Sequence, residues 1–392
     1  MFARTPVFRT DQGIYGYALH FHPEPGAIGP AACPLQAWSG VFPFDAFADR
    51  RLLLRATPEL IPPLLSSPML EPARRGHALL ELVTPPADGL EAEFSRLRSQ
   101  GYGILLDERQ LDAGSGALEL ADVVRAALPP ENVRELPARL RALADGGRTL
   151  LAADVPSHEA QQRAARLGFG LFQGEYFCRP PAIPVTDLPR SKASYVLFLV
   201  ELAKPDLDLA RIERIVKGEP SLVVRLMRYL NSPIFGVRSP ITSVRHALTY
   251  LGEKPLRRWG SVLAVTGMSE DRPGELVVTA LVRARLCEEL GKLEDRRNAE
   301  TYFLTGLLSP IDAMLGRPAL TCLYELPLDD AIRRAILGED NPLGRALKTA
   351  MAFERADWAR QASLPGSCGD ATRLHCEVLR WAQEIVAAGA AA

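Results

Sequence analysis

The sequence predicts an α/β barrel over residues 1–187 followed by an all-α domain over residues 188–392. Two observations carry this reading. The first half is a series of short apolar runs separated by helical or turn-rich stretches, as parallel strands covered on both faces require. After the proline-rich PAIPVTDLPR at 181–190, the apolar period changes from two to 3.6 residues. A chain of 392 residues is also longer than a usual single domain.

Eight runs read as strands in chain order: TPVFRT, IYGYALHF, RLLLRA, HALLELV, GILLDE, DVVRAAL, TLLAADV and FGLFQGEYF. The segment LPARLRALADGG reads as a helix stopped by Gly146 and Gly147. About eight repeated β and α units point to a (β/α)8 barrel. It is a small one, and HPEPGAIGPAACPLQAWSGVFPF has too many prolines and glycines for a crossover helix.

In the second half, Leu209, Ile212, Ile215 and Val216 share one helical face, and Leu222, Leu226 and Leu230 share another. Asp208 suits a helix N-cap, Pro220 a first turn, and Asn231, Ser232 and Pro233 a break. Ser243 reads as a second N-cap and Gly252 as a C-terminal stop.

Composition excludes several classes of function. With 46 basic side chains against 47 acidic ones, no broad field gathers nucleic acid or an anionic membrane. No apolar run approaches the ~20 residues that cross a bilayer, so no direct membrane insertion is expected. Cys33, Cys178, Cys287, Cys322, Cys368 and Cys376 lack C-x-x-C spacing and read as packing residues. The opening MFARTPVFRT lacks the apolar core of a secretory signal, so a cytoplasmic setting is expected.

Barrel enzymes carry their reactive groups at the C-terminal ends of strands. Glu81, Asp107, Glu108, Asp122 and Gln173 lie at or near such positions and bear oxygen, so they offer a polar or cation-binding set. The blander reading is that acids beside strands cap helices or face solvent.

At these residues the first half resembles the EAL domains, a family of cyclic-di-GMP phosphodiesterases, in the variant fused to HDOD domains. YGYALHFH resembles the signature strand, GYGILLDE the strand with paired aspartates, ADVVRA the lysine strand, and LLAADVPSHEAQQRAARLGFGLFQGEYFCRP the closing segment. The resemblance implies a degenerate TIM-like barrel. Active members hydrolyse a phosphodiester with carboxylate-bound divalent cations and a metal-activated water. Glu81, Asp107 and Gln173 match the family pattern, and Glu108 stands for the second aspartate. The signature glutamate falls on Ala18, the phosphate-holding arginine on His22, the lysine on Arg125, and two further glutamates on Ala153 and Pro156; RLLLRAT has no asparagine where the family has one. A methyl group cannot ligate a metal and Arg125 is a poor proton shuttle, so no catalytic residue, bound metal or cofactor is expected.

The segment from LVELAKPD to HALTYLG is similar to the start of an HDOD domain, the helical relative of HD phosphohydrolases. The metal-binding His-Asp pair of those enzymes falls near Ser309 and Pro310, and His246 and His375 are the only histidines in this half. Asp312 reads as an early-turn acid. Arg257, Arg258 and Trp259 place charge beside an aromatic ring and offer a partner surface, or else a solvated face with an anchored indole.

The expected function is therefore that of a non-catalytic signalling or scaffold protein in cyclic-di-GMP-linked regulation, working through contacts with other signalling proteins. Two alternatives stay open: a receptor that binds cyclic-di-GMP without hydrolysis through Arg125, Glu81 and Gln173, and a weak metal-dependent phosphodiesterase. Pairing of two copies through their barrels is what the resemblance implies for assembly.

Overall fold

The computed structural model describes residues 2–21, 47, 50–56, 77–82, 91–108, 121–131, 133–181, 190–204, 206–231, 241–357 and 368–390. Two compact units emerge: Met1–Phe177 with Met351–Glu377, and Cys178–Ala350 with Val378–Ala392. His22, Cys33 and the rest of HPEPGAIGPAACPLQAWSGVFPF, together with Ser232, Pro233 and most of PAIPVTDLPR, lie outside the described residues.

The first unit is a closed barrel of eight strands in sequence order. They are β1 (Phe2–Arg9), β2 (Ile14–Phe21), β3 (Arg51–Ala56), β4 (Ala78–Leu82), β5 (Gly103–Asp107), β6 (Val123–Ala127), β7 (Thr149–Ala153) and β8 (Leu171–Gln173), with α1 (Glu91–Ser99), α2 (Ala138–Asp145) and α3 (His158–Leu167) between them. Each of the eight apolar runs forms one strand. β2 to β8 pair in parallel, as expected of near-continuous apolar segments.

β1 departs from the all-parallel expectation. It runs antiparallel to both β2 and β8. The cause is local: residues 10–13 cannot carry a crossover, which takes a dozen or more residues, so the chain reverses in a hairpin. Arg9 N–H donates to the Gly13 carbonyl at 2.8 Å, and Gln12 turns the chain at φ 65°. Gly16 in β2 has a specific task, because a Cβ there would sit 2.2 Å from the Arg51 carbonyl oxygen of β3.

Inside the barrel, each strand contributes one residue to an apolar cluster: Val7, Ala18, Leu53, Leu79, Leu105, Val123, Leu151 and Leu171. The outer helices follow their sequence signals. Ser157 caps α3 by accepting from Ala160 N–H, and Gly168 ends it at φ 103°, a conformation a side chain disfavours. Gly146 ends α2, as the diglycine predicts.

The second unit is helical, with α4 (Arg190–Ala203), α5 (Leu209–Gly218), α6 (Pro220–Leu230), α7 (Val244–Leu251), α8 (Glu253–Met268), α9 (Gly274–Glu294), α10 (Ala299–Leu308), α11 (Ile311–Leu315), α12 (Ala319–Glu325) and α13 (Asp330–Ile336). α14 (Pro342–Glu354) and α15 (Cys368–Ala390) complete the described helices. Asp208 accepts from Arg211 N–H at 3.0 Å and Ser243 from His246 N–H at 3.1 Å, so both predicted caps form. Ile212, Val216, Leu222, Leu226 and Leu230 are buried, but Leu209 at the start of α5 is exposed, because the first turn extends past the packed face.

Leu53 makes the barrel's apolar cluster testable. Leu53→Ala should lower unfolding free energy by about 3 kcal/mol in urea titration, whereas Leu197→Ala at a half-exposed site of α4 should cost under ~0.5 kcal/mol. Equal losses would contradict this placement of the core.

Candidate functional site at the barrel mouth

Strand side chains alternate, so the residue two beyond each apolar-cluster member faces the same interior, one step closer to the C-terminal ends of the parallel strands. Those positions are His20, Arg55, Glu81, Asp107, Arg125, Ala153 and Gln173, and antiparallel β1 supplies Thr5. Seven of the eight are polar, directly above a ring that is wholly apolar. Ala18, where the resemblance places its signature glutamate, belongs to the apolar ring and is 1% exposed.

Arg125 organises this mouth. Its Nη1 donates to Glu81 Oε1 at 2.5 Å and its Nη2 to Gln173 Oε1 at 3.2 Å. The side chains of Arg125 and Glu81 are only 13% and 5% exposed, so this is a largely buried ion pair. Gln173 Nε2 donates to Thr5 Oγ1 at 2.5 Å, and Thr5 Oγ1 lies 2.9 Å from His20 Nε2. β4, β6, β8, β1 and β2 are thereby joined across the mouth by one polar chain.

His20 is kept neutral. Burial first, then the charges of Arg55 and Arg125, push its imidazole down to about 4. Asp107 is also buried, beside Arg125 in strand register, and Glu108 Oε1 accepts from Ala127 N–H at 3.1 Å. Ala153 ends β7 and Pro156 follows it, and neither residue type carries a side-chain oxygen.

The charges of these eight positions cancel: carboxylates at Glu81 and Asp107, guanidiniums at Arg55 and Arg125. Among the described residues, these eight positions do not supply the several anionic oxygens that a divalent cation needs to replace its hydration. Glu81 Oε2 accepts no hydrogen bond among the described residues, but a guanidinium holds the other oxygen of the same carboxyl. No group of three or more His, Cys, Asp or Glu side chains able to hold a metal occurs among the described residues.

Asp122 does not join the set. It precedes parallel β6 and so lies at the N-terminal end of the barrel, where it pairs with Arg98 at 3.0 Å and accepts from Ile104 N–H at 2.9 Å. His20, Thr5 and Arg55 were missed in the sequence. His20 was detectable, since it stands two residues from Ala18 and shares its face.

The helical unit has its own polar contacts. Arg258 grips Glu288 with two bonds of 2.7 and 3.0 Å and lies 4.5 Å over the Phe303 ring. Burial works against the Glu288 charge, but Arg258 and Arg285 outweigh it and hold the carboxyl below its ordinary value. Arg257 pairs with Glu253 and donates to the carbonyls of Leu202 and Lys204, while Trp259 is half-buried. Ser309 Oγ donates to the Gly306 carbonyl and accepts from Arg283, and Pro310 precedes α11. Burial raises the Asp312 carboxyl against the pull of backbone hydrogen bonds and of Arg283 and Arg179. His246 is exposed on α7, edge-on to Tyr250.

In class, this is a barrel with a self-neutralised mouth joined to a helical segment, and residues 188–361 of that segment match the HDOD domain. The chain is similar to the cyclic di-GMP phosphodiesterase CdgJ of Vibrio cholerae, 29% identical over 78% of this chain and 73% of that protein. It is also similar to the uncharacterized protein YuxH of Bacillus subtilis, 26% identical over 77% of this chain and 76% of the relative. Among solved structures, the Klebsiella pneumoniae BlrP1 calcium/cy-diGMP complex aligns at 17% identity and a TM-score of 0.34, over 44% of this chain and 53% of that one. No described helix is long and apolar enough to cross a membrane.

The depressed His20 pKa fixes a pH response. An unfolded histidine takes up its proton near pH 6.5, whereas folded His20 does so near 4, so between those values the unfolded state binds more protons and stability is lost as the pH falls. His20→Gln should therefore reduce the slope of unfolding free energy against pH in that window by about 1 kcal/mol per pH unit, read from urea titrations. An unchanged slope would contradict a neutral, buried His20.

Proposed function

We propose that this chain is a non-catalytic signalling protein in cyclic-di-GMP-linked regulation, built on a degenerate, TIM-like EAL barrel joined to an HDOD domain, and acting in the cytoplasm through contacts with other proteins. The pathway assignment is supported by the similarity to CdgJ, which is named a cyclic di-GMP phosphodiesterase, and by the EAL-like strand motifs. One observation carries the loss of catalysis: Arg125 donates to both Glu81 and Gln173, so two of the three positions that match the family's polar set are bound to an internal cation.

The chemistry follows from the charge balance. Metal-assisted phosphodiester hydrolysis needs a cation to activate water and to neutralise developing charge. Alanines at 18 and 153 supply no ligand. Position 125 carries an arginine, a residue type poorly suited to relaying a proton as a lysine can. What remains to the protein is its surface.

Incubating the full chain with cyclic-di-GMP and millimolar Mg²⁺ or Mn²⁺ tests this reading, with nucleotides resolved by chromatography and binding followed by calorimetry. The expected result is intact dinucleotide and no heat of binding. Metal-dependent appearance of the linear dinucleotide would overturn the non-catalytic assignment. Micromolar binding without cleavage would instead make the barrel a receptor, and Arg125→Ala should then weaken it.

A further inference from the structure

We propose that Arg125 is a tethered cation that takes over the role of a bound one in the barrel mouth, and that its guanidinium orients a one-way hydrogen-bond chain through Gln173 and Thr5 to His20. The inference rests on reading the mouth as metal-free and deepens it, because it assigns the surviving polar residues a shared task.

The argument is one of donors and acceptors. Arginine has five N–H donors and no acceptor. The Gln173 amide must therefore turn its oxygen toward Arg125 Nη2, 3.2 Å away. Its NH2 group is then committed to Thr5 Oγ1 at 2.5 Å. Thr5 Oγ1 accepts that proton on one lone pair, and in the proposed chain the hydroxyl's own proton goes to His20 Nε2, 2.9 Å away. Nε2 is then an acceptor, and the single proton of the neutral ring sits on Nδ1.

Electrostatics points the same way. Arg125 supplies the positive charge that a buried Glu81 needs, with N–H to oxygen at 2.5 Å. Arg55 on the neighbouring β3 and Arg125 on the more distant β6 also disfavour a second proton on His20. A cation fixed by a covalent stem costs no binding step and cannot be lost on dilution or chelation. Glu81, Gln173, Thr5 and His20 come from four different strands, so the chain from Arg125 on β6 also ties together strands far apart in sequence.

The test uses the full chain, with histidine nitrogens labelled and the His20 signal assigned by His20→Gln. Nitrogen NMR near pH 7.5 should show His20 as the Nδ1–H tautomer. Arg125→Met should lower the barrel's unfolding midpoint by ~10 °C and leave His20 as a mixture of tautomers. Because that variant leaves Glu81 buried without its partner, Glu81→Gln/Arg125→Met should recover most of the midpoint. A dominant Nε2–H tautomer in the unaltered chain would overturn the chain's direction. A midpoint shift below ~2 °C in Arg125→Met, or a double variant no more stable than the single one, would overturn the cation role. Phosphodiester cleavage accompanied by an intact Nδ1–H tautomer would overturn the non-catalytic reading and the cation role while supporting the direction of the hydrogen-bond chain, so the two failures are distinguishable.

Discussion

The ion pair between Arg125 and Glu81 governs what the mouth of this barrel can hold. A buried carboxylate left alone would shift its pKa or draw a cation from solution, because burial of an isolated charge is costly. Here the cation comes from the neighbouring interior, 2.5 Å away on β6, and the carboxylate is neutralised before any ion arrives. Everything else at the mouth follows that choice. Gln173 orients to serve the guanidinium, Thr5 serves Gln173, and His20 stays uncharged beneath two arginines.

That arrangement depends on the ring below it. Val7, Ala18, Leu53, Leu79, Leu105, Val123, Leu151 and Leu171 fill the barrel without a polar atom in their side chains, so the polar residues above face a dry floor. Ala18 is part of this floor. A methyl group there continues the apolar packing, whereas a carboxylate would need a cation above it. An apolar residue at 18 and a guanidinium at 125 are thus mutually consistent: neither calls for a bound metal.

Much of the fold was legible because strands buried on both faces read as continuous apolar runs. RLLLRA and TLLAAD admit few alternatives, and each became a parallel strand. The direction of β1 was not read from apolar pattern, since an antiparallel strand covered on both faces looks the same; only the shortness of residues 10–13 shows it. At the site, Glu81, Asp107 and Gln173 lie where strand ends place them. Asp122 was misplaced because a carboxylate at the start of a parallel strand sits at the opposite end of the barrel. The sequence groups Arg125 with Glu81 and Gln173 as contacts for a ligand, but their bonds to one another were hidden, because the partners lie 44 and 48 residues away. In the helical unit, caps at Asp208 and Ser243 were readable from local spacing, while the Arg258–Glu288 clasp spans 30 residues and was not.

Electron paramagnetic resonance of Mn²⁺ tests the central claim most directly, because aqueous Mn²⁺ gives a six-line spectrum that fades when the ion is held by protein. A self-neutralised mouth predicts that the spectrum keeps its amplitude when the full chain is added in excess. Stoichiometric loss of the signal, restored by Glu81→Gln, would show a cation bound at the carboxylate that Arg125 is said to occupy, and would contradict the account.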